Sequence, residues 1–588
     1  MKKTKIVCTL GPATDTVDIL KELIEAGLSA ARINFSHGTY ESHSEIINKL
    51  KQARKELNKP VPLLLDTKGP EIRIKTFKEE PIHLDQGQEF TLTTREIEGD
   101  KTIVSITYTD LPNDITVGSR ILLDDGLIEL VVQDVKGTDI LTKVINGGNI
   151  RSRKGVNVPD VYINLPSLTK KDVDDIKFGI EQGFDYIAAS FIRSAKDVLD
   201  IKNVLDENDG SHIDIIAKIE NRDGVNNIDE ILEVADGIMV ARGDLGVEIP
   251  PEEVPKVQKL LIRKANEVGK PVITATQMLE SMTKNPRPTR AEANDVANAI
   301  YDGTDCIMLS GETAMGDYPI EAVRMMSKIA IEAENDINYA AKIAEYSVSL
   351  QSSVTNAISY ATCTTASNLS ASCIVPVTTS GFSARMVSRF RPSCPILAVT
   401  ERENTWRKLS LTWGCIPVLT DTFEHGADSE VFKDASQIAQ DIGLAKNGDH
   451  IVIVAGVPVG ITGTTNTLKV EIVGDVLVKG KSIASQNNVT SVTNNIRAVS
   501  EAEKHFKKGD ILVAPRTTND MLPFIRMASA IIVGNGNIND PDHLHAETVG
   551  RALNIPVIVC LEKVVDLIPN GAVVTIDGKK GFVYNGIR

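Results

Sequence analysis

Two acidic residues close neighbouring apolar runs. "IIAKIE" ends on Glu220 with Lys218 two positions before it, and "IMVARGDLGVE" passes from core-type residues into Arg242, Gly243 and Asp244. A buried strand gains nothing from a carboxylate at its tip unless a cation meets it there. Two convergent carboxylates with few other ligands suit Mg2+ or Mn2+, hard ions that keep waters and bind phosphate oxygens. Zinc is disfavoured, since no His/Cys cluster is at hand. The competing arrangement is an internal ion pair of Glu220 with Lys218 or Arg242. Lys218, on an otherwise apolar strand, must itself meet anions, either protein carboxylates or a phosphoryl group. Arg32 and Arg73 pose the same choice, and guanidinium forks suit phosphate. Gly243 permits close backbone approach to a ligand, and a helix starting near "GDLGVE" would offer free N–H groups to a carboxylate; a tight turn uses the same glycine. Asn34, Ser36, Asp66 and Thr67 form a second, oxygen-rich set. One carboxylate with neutral oxygens suits a monovalent cation, and ordinary capping and turn bonds employ the same residue types.

The elements that must carry these residues follow from hydrophobic pattern. Short β-branched runs alternate with amphipathic helical stretches: "KIVCTL" (5–10), "AARINF" (30–35), "VPLLLDT" (61–67), "YIAASFI" (186–192), "DIIAKIE" (214–220), "GIMVARGDL" (237–245), "PVITATQM" (271–278) and "CIMLSGE" (306–312). Runs apolar on both faces suit parallel strands covered by helices. Eight of them predict an α/β fold built on a closed (β/α)8 TIM barrel over 1–69 and 167–339, with an open doubly wound sheet as the alternative. In such a barrel chemistry gathers at the C-terminal ends of the strands. Those ends here are Arg32 and Asn34, Asp66 and Thr67, Lys218 and Glu220, Asp244, Thr276, then Ser310 and Glu312.

Residues 70–166 interrupt the pattern with short strands and Gly/Asp turns, which predicts a small antiparallel β-barrel domain, placed to act as a lid on one rim or as a passive insertion. Residues 340–474 read as a separate α/β domain, and 475–588 as a compact, β-rich swivel-like domain.

The chain has 588 residues, 42% apolar and 24% charged, which is ordinary globular composition. A net charge of −15 argues against nucleic acid or an anionic membrane as the main partner. No signal peptide or bilayer-length apolar run is apparent. The seven scattered cysteines, none in CxxC spacing, predict reduced core thiols and a cytoplasmic protein.

The motifs "KTKIVCTLGPA", "ARINFSHG", "LLLDTKGPEIR", "AKIENRDG", "MVARGDLGVEIP", "ITATQMLESMTKNPRPTRAEANDVANAIYDGTDCIMLSGETAMGDYP" and "GTTNTLKV" lie in order across roughly 1–475. Together they resemble those of the pyruvate kinases. The resemblance implies phosphoryl transfer from phosphoenolpyruvate to ADP, giving pyruvate and ATP in the final step of glycolysis. It implies that Glu220 and Asp244 hold Mg2+ or Mn2+. Lys218 would neutralise the transferring phosphoryl, with Arg32 and Arg73 gripping its oxygens. Backbone near Gly243 and Asp244 would take the substrate carboxylate, and Thr276 would relay a proton to the enolate carbon, through water and Ser310. Asn34, Ser36, Asp66 and Thr67 would bind K+, and Glu71 matches the K+-requiring form of the family. Pro12, Asn34, His37, Arg73 and Lys154 would contact ADP, with Asp124 brought near by lid closure. A homotetramer is implied in the same way.

In the α/β domain, "VTTSGFSARMVSRFRP" crowds Thr378, Thr379, Ser380, Gly381 and Ser383 at a helix start, which suits phosphate or ordinary N-capping. The resemblance implies an allosteric pocket there for a sugar phosphate or nucleotide, closed by "VAGVPVGITGTTNT"; Phe382 departs from the small residue many members carry. The C-terminal stretch "DHLHAETVGRALNIPVIV" is similar to the phosphohistidine swivel domain of phosphoenolpyruvate-using enzymes. His545 falls on the histidine, but His543-Leu544 replaces the preceding Thr-Ser, so a structural or interface role is expected rather than phosphotransfer.

Overall fold

The computed structural model describes residues 1–161, 163–347, 352–421, 428–456, 465–474, 476–500, 505–536 and 543–587. Each of the eight apolar runs forms a strand: β1 (Lys5–Thr9), β2 (Ala30–Asn34), β3 (Leu63–Asp66), β4 (Tyr186–Ala189), β5 (Asp214–Ile219), β6 (Gly237–Ala241), β7 (Val272–Ala275) and β8 (Cys306–Leu309). All neighbours pair in parallel, and β8 returns to β1 with Lys5 opposite Cys306, so the sheet closes on itself. Closure is what a sheet buried on both faces requires. Inside, Val7, Leu64, Tyr186, Ile216, Met239, Ile273 and Met308 fill the bore. Outside, Ile6, Ala31, Leu65, Ile187, Ile215, Ile238 and Ile307 face the helices.

The floor of the bore is completed from far along the chain. Leu411 belongs to the interior cluster, and its carbonyl accepts from the Cys306 thiol at 3.2 Å. Around it, Arg407 pairs with Asp185 at 2.8 Å, Lys408 with Asp214 at 2.6 Å, and Arg391 with Asp305 at 2.8 Å.

Helix boundaries follow local chemistry. In "PRPTRAE", Thr289 caps the helix α2 (Arg290–Asp302), and the Glu292 side chain returns to the Thr289 N–H, a reciprocal capping box. The same Glu292 accepts from the Ser281 N–H at 2.7 Å, pinning the loop that follows β7. One boundary differs from expectation: the run read as strand through Leu245 stops at Ala241, and helix α1 (Arg242–Glu248) begins there. Two glycines in four residues do not suit a strand interior.

The interruption forms its own core around Ile74, Phe90, Leu92, Ile121, Leu123, Leu130 and Ile140. Its six-stranded sheet is antiparallel as expected, with one exception: Glu89–Thr93 and Ile103–Ser105 run parallel. All seven cysteines are buried and unbridged. Among the described residues no helix is long and apolar enough to cross a membrane.

The chain divides into two compact units. The first comprises Met1–Thr364, Pro376–Glu424 and Val454–Thr467. Besides the barrel and its insertion it includes the parallel pair Ile396–Thr400 and Cys415–Leu419 and the short helix α3 (Phe382–Ser388). The second comprises Thr365–Val375, His425–Ile453 and Leu468–Arg588. Its dominant feature is a closed seven-stranded barrel formed between Val476–Ala484 and Phe582–Asn585, with helix α4 (His543–Leu553) beside it.

Candidate active site

At the C-terminal rim, β2, β3, β4 and β5 bring their last residues into one charged network. Asp66, 1% exposed, accepts from Arg32 Nε at 2.5 Å on one oxygen and from Lys218 Nζ at 3.0 Å on the other. Lys218 reaches Glu220 Oε1 at 2.9 Å and Ser190 Oγ at 2.8 Å. Glu220 Oε2 accepts from the Phe191 N–H at 2.7 Å. Burial opposes charge on Lys218, but the Asp66 and Glu220 carboxylates outweigh it and hold the ammonium well above the usual lysine range. Burial likewise opposes charge on Asp66, and Arg32 and Lys218 overcome it, so this carboxyl sits below its ordinary value.

Glu220 goes the other way. Burial, aided by the Asp244 charge and only partly offset by Lys218, pushes its carboxyl from 4.5 up to about 7. The Asp244 carboxylate makes no hydrogen bond or ion pair with the described residues. Water reaches it within the cleft, yet the protein around it raises its carboxyl above the ordinary range, against the pull of Lys218. An ion pair of Glu220 with Lys218 is therefore present, and it leaves acid to spare. Two carboxylates reluctant to ionise, one without a partner, form a donor set that fits a hard divalent cation. A divalent ion bound at Glu220 would compete with that proton, so Mn2+ affinity should fall about tenfold per pH unit below pH 7 and level off above it. In the metal-free protein the raised carboxyl stabilises the fold fully below 4.5, and that contribution is lost as pH rises through about 7. Titration of Mn2+ binding by electron paramagnetic resonance checks the first statement, and urea unfolding without metal checks the second.

A cavity of about 250 Å3 opens beside this network, between the insertion and the barrel rim. Glu71, Arg73, Asp124 and Lys154 line it from the insertion side, and Phe191, Asn221, Asp244 and Glu248 from the rim. Arg73 is held by Glu71 at 2.7 Å and by the Arg153 carbonyl at 2.7 Å, and Lys154 pairs with Asp124 at 2.8 Å. Asn157 bridges to Glu248 at 2.7 Å. The lining carries six carboxylates (Glu71, Asp124, Asp125, Asp223, Asp244, Glu248) against three cations (Arg73, Lys154, Arg193). A phosphate-bearing ligand would meet net repulsion here unless further cations entered with it.

The other expected residues lie around this centre. Thr276 and Ser310 directly follow the neighbouring strands β7 and β8. Gly243 donates its N–H to Thr276 Oγ1 at 2.8 Å, and Ser310 donates its N–H to Glu312 at 2.7 Å. Asn34 and Asp66 face each other in register, and Asn34 Oδ1 accepts the Ser36 N–H at 3.0 Å. Thr67 Oγ1 accepts from the Ser190 N–H at 3.1 Å. Pro12 is exposed at the start of a 3-10 turn after β1, and His37 is exposed after β2, with its N–H donating to the Asn34 carbonyl at 3.4 Å. In the α/β segment Ser383 bonds Thr465 at 2.7 Å, and Gly381 adopts φ +80° beside Thr378, Thr379 and Ser380. The closing loop expected there falls mostly at 457–464, outside the described residues. His545 is held through both ring nitrogens, by Thr517 at 2.9 Å and Asn519 at 3.1 Å.

Strand-end reading passed over β4. Ser190, the residue that follows it, bridges Lys218, Asp66 and the Thr67 carbonyl, and the hydroxyl in "AASFI" was the available signal. Backbone strain marks the same rim: Phe191 has φ +57°, Thr276 φ +68° and Gln277 φ +54°. Such conformations cost non-glycine residues roughly 1–3 kcal/mol each and concentrate at functional sites.

Fold and site together define a (β/α)8-barrel enzyme that gathers cations and paired carboxylates at one mouth. The comparisons specify it further. Residues 1–323 match the model of the pyruvate kinase barrel domain, 356–471 that of the pyruvate kinase alpha/beta domain, and 506–581 that of the mobile domain of PEP-utilising enzymes. The chain is 49% identical over 588 residues to the pyruvate kinase of Geobacillus stearothermophilus and 49% identical over 588 residues to that of Bacillus licheniformis, covering 100% of this chain and 99% of each relative. A crystal structure of a pyruvate kinase from Cryptosporidium parvum superposes with a TM-score of 0.77 at 40% identity, covering 80% of this chain and 96% of that one. The chain belongs to the pyruvate kinase family and is a kinase.

Proposed function

We propose that the chain transfers the phosphoryl group of phosphoenolpyruvate to ADP, giving pyruvate and ATP, with Mg2+ or Mn2+ at Glu220 and Asp244 and K+ near Asn34, Ser36, Asp66 and Thr67. The observation that carries this reading is the Arg32–Asp66–Lys218–Glu220 network beside an unpartnered Asp244. A divalent ion held by that pair would supply charge neutralisation for the phosphoryl and enolate oxygens.

The chain's own residues do the rest. Lys218, locked in its charged form by two carboxylates, stands where a phosphoryl group gains negative charge in flight, and Arg32 and Arg73 take its equatorial oxygens. The backbone at the start of α1, at Gly243 and Asp244, takes the substrate carboxylate, with the Gly243 N–H turning to it from Thr276 Oγ1. The Thr276 hydroxyl, with Ser310 on the next strand, handles the proton added to the enolate. Lys154 and Asp124 meet the nucleotide from the insertion, alongside Pro12 and His37. Closing that insertion over the cavity excludes water, which would otherwise intercept the phosphoryl group.

We assign the Thr378–Ser383 loop to a sugar-phosphate or nucleotide effector, on the strength of its clustered hydroxyls and the φ +80° turn at Gly381. A cytoplasmic homotetramer completes the reading by kinship with the family. Initial rates with phosphoenolpyruvate and ADP, with and without K+, across sugar phosphates and AMP, test the whole. ATP synthesis should require ADP and a divalent ion, and should fall at least tenfold without K+. Glu71→Lys should remove most of that K+ dependence, because it plants a fixed positive charge beside Arg73. Pyruvate and inorganic phosphate formed at full rate without ADP would mean that water takes the phosphoryl group, and would overturn the reading.

A further inference from the structure

The strained turn at the end of β7 is held from behind by a side chain that does not belong to the reacting centre. Thr276 is β-branched, and a β-branched residue at φ +68° is an outlier that the surroundings must enforce. Its neighbour Gln277 is also left-handed, at φ +54°. The enforcing group is Arg242, the residue before Gly243. Its Nη2 donates to the Thr276 carbonyl at 2.7 Å and its Nε to the Ala275 carbonyl at 3.2 Å. On its far side Nη1 pairs with Asp295 of α2 at 2.7 Å, with Gln258 Oε1 at 3.4 Å. The Arg242 side chain is 10% exposed, so its planar fork is fixed by these partners.

The geometry does more than fix the backbone. The Thr276 hydroxyl donates to the Ala275 carbonyl at 2.6 Å and accepts the Gly243 N–H at 2.8 Å. Arg242 competes for the same Ala275 carbonyl, so it supplies that acceptor with a donor whenever the hydroxyl turns elsewhere. Asp295 stands behind the guanidinium, on the opposite side from Thr276, and touches neither Thr276 nor Asp244 among the described contacts.

We propose that Arg242, braced by Asp295, is a positioning residue that holds Thr276 in its left-handed conformation and leaves its hydroxyl free to move a proton at the barrel mouth. The proposal rests on the reading of Thr276 as part of the proton relay. Without the fork, the Thr276 carbonyl loses its side-chain donor, the Ala275 carbonyl keeps only the Thr276 hydroxyl, and Thr276 relaxes toward negative φ, carrying its hydroxyl away.

The test uses the full-length enzyme with Mn2+ and K+, and follows deuterium exchange at the pyruvate methyl group by NMR beside steady-state kcat and KM. Asp295→Asn keeps the side-chain volume and removes the charge that orients Arg242. It should lower exchange and kcat together by about tenfold while leaving KM for phosphoenolpyruvate within about twofold. Arg242→Lys, which cannot fork to both carbonyls, should lower exchange by about a hundredfold. Thr276→Ser keeps the hydroxyl but removes the β-branching that strains positive φ, so in that background Asp295→Asn should change exchange by less than about threefold. Additive effects of Asp295→Asn in the two backgrounds would reduce Arg242 to a general structural role and overturn the proposal. Exchange unaffected by Asp295→Asn but lost in Thr276→Val would overturn it while sparing the relay. Exchange unaffected by Thr276→Val would remove the relay itself, and the proposal with it.

Discussion

Lys218→Met should lower ATP synthesis by about three orders of magnitude or more, while the pyruvate methyl protons continue to exchange with solvent. The separation follows from where the ammonium sits. Lys218 is 9% exposed, is fixed by Asp66, Glu220 and Ser190, and remains fully charged across the physiological range. Charge held rigidly in a site that excludes water stabilises a transferring phosphoryl group without reorganisation at the moment of reaction. In the proposed reaction, proton movement at carbon depends on the far side of the mouth, after β7 and β8, which Lys218 does not touch. Stopped-flow measurement of ATP formation, beside NMR exchange on the same sample, checks the pair. ATP synthesis at more than a tenth of the normal rate would remove Lys218 from the reaction. Methionine matches the lysine stem in length, but it strips Asp66 and Glu220 of a partner. Some loss of melting temperature should therefore accompany the kinetic effect, and binding of Mn2+ shows whether the site still assembles.

Glu220→Gln should weaken Mn2+ binding by roughly two orders of magnitude and lower kcat by about a thousandfold, and loss of both activities distinguishes it from the lysine variant. The amide keeps the volume and can still accept the Phe191 N–H, so the rim should remain folded. What disappears is one of the two carboxylates. Two opposing effects on stability can be separated by metal. Without Mn2+, the variant should be more stable than the parent at pH 8, because a carboxylate that burial makes reluctant to ionise has been replaced by a neutral group. With saturating Mn2+, the order should reverse, since the ion then stabilises only the parent by mass action. Unfolding curves at pH 8 with and without Mn2+ decide it; a variant that binds the ion as tightly as the parent would displace the metal from Glu220.

Much of this was legible in the chain because the barrel imposes a strong pattern. Strands buried on both faces must be continuously apolar, so Lys218 and Glu220 stood out against "IIA" and Asp66 against "LLL". The closure of β8 onto β1 was legible only as a count of eight, since parallel pairing leaves no mark in sequence. The boundary at Ala241 was misread because Met239–Val240–Ala241 and Leu245 look alike apolar, while one lies in a strand and the other inside a helix. The parallel pair Glu89–Thr93 and Ile103–Ser105 was read as antiparallel for a similar reason: the linker is short, and short linkers suggest hairpins. Ser190 was missed as an ordinary small residue in "AAS", and only its three contacts give it a role. Arg242 was noticed as a charge at a strand tip, yet its placing behind Thr276 depends on Asp295, more than fifty positions away, which sequence spacing does not convey.

The plug at the base of the barrel bears on how the polypeptide is born. Leu411 enters the bore about a hundred residues after the last strand, Leu309, has been made. On the ribosome, eight strands and their helices emerge with the apolar base of the bore uncovered and with Asp185, Asp214 and Asp305 still lacking Arg407, Lys408 and Arg391. A nascent chain in that state is the one a chaperone would hold longest, and a gene fragment cut after the last strand would fix it there.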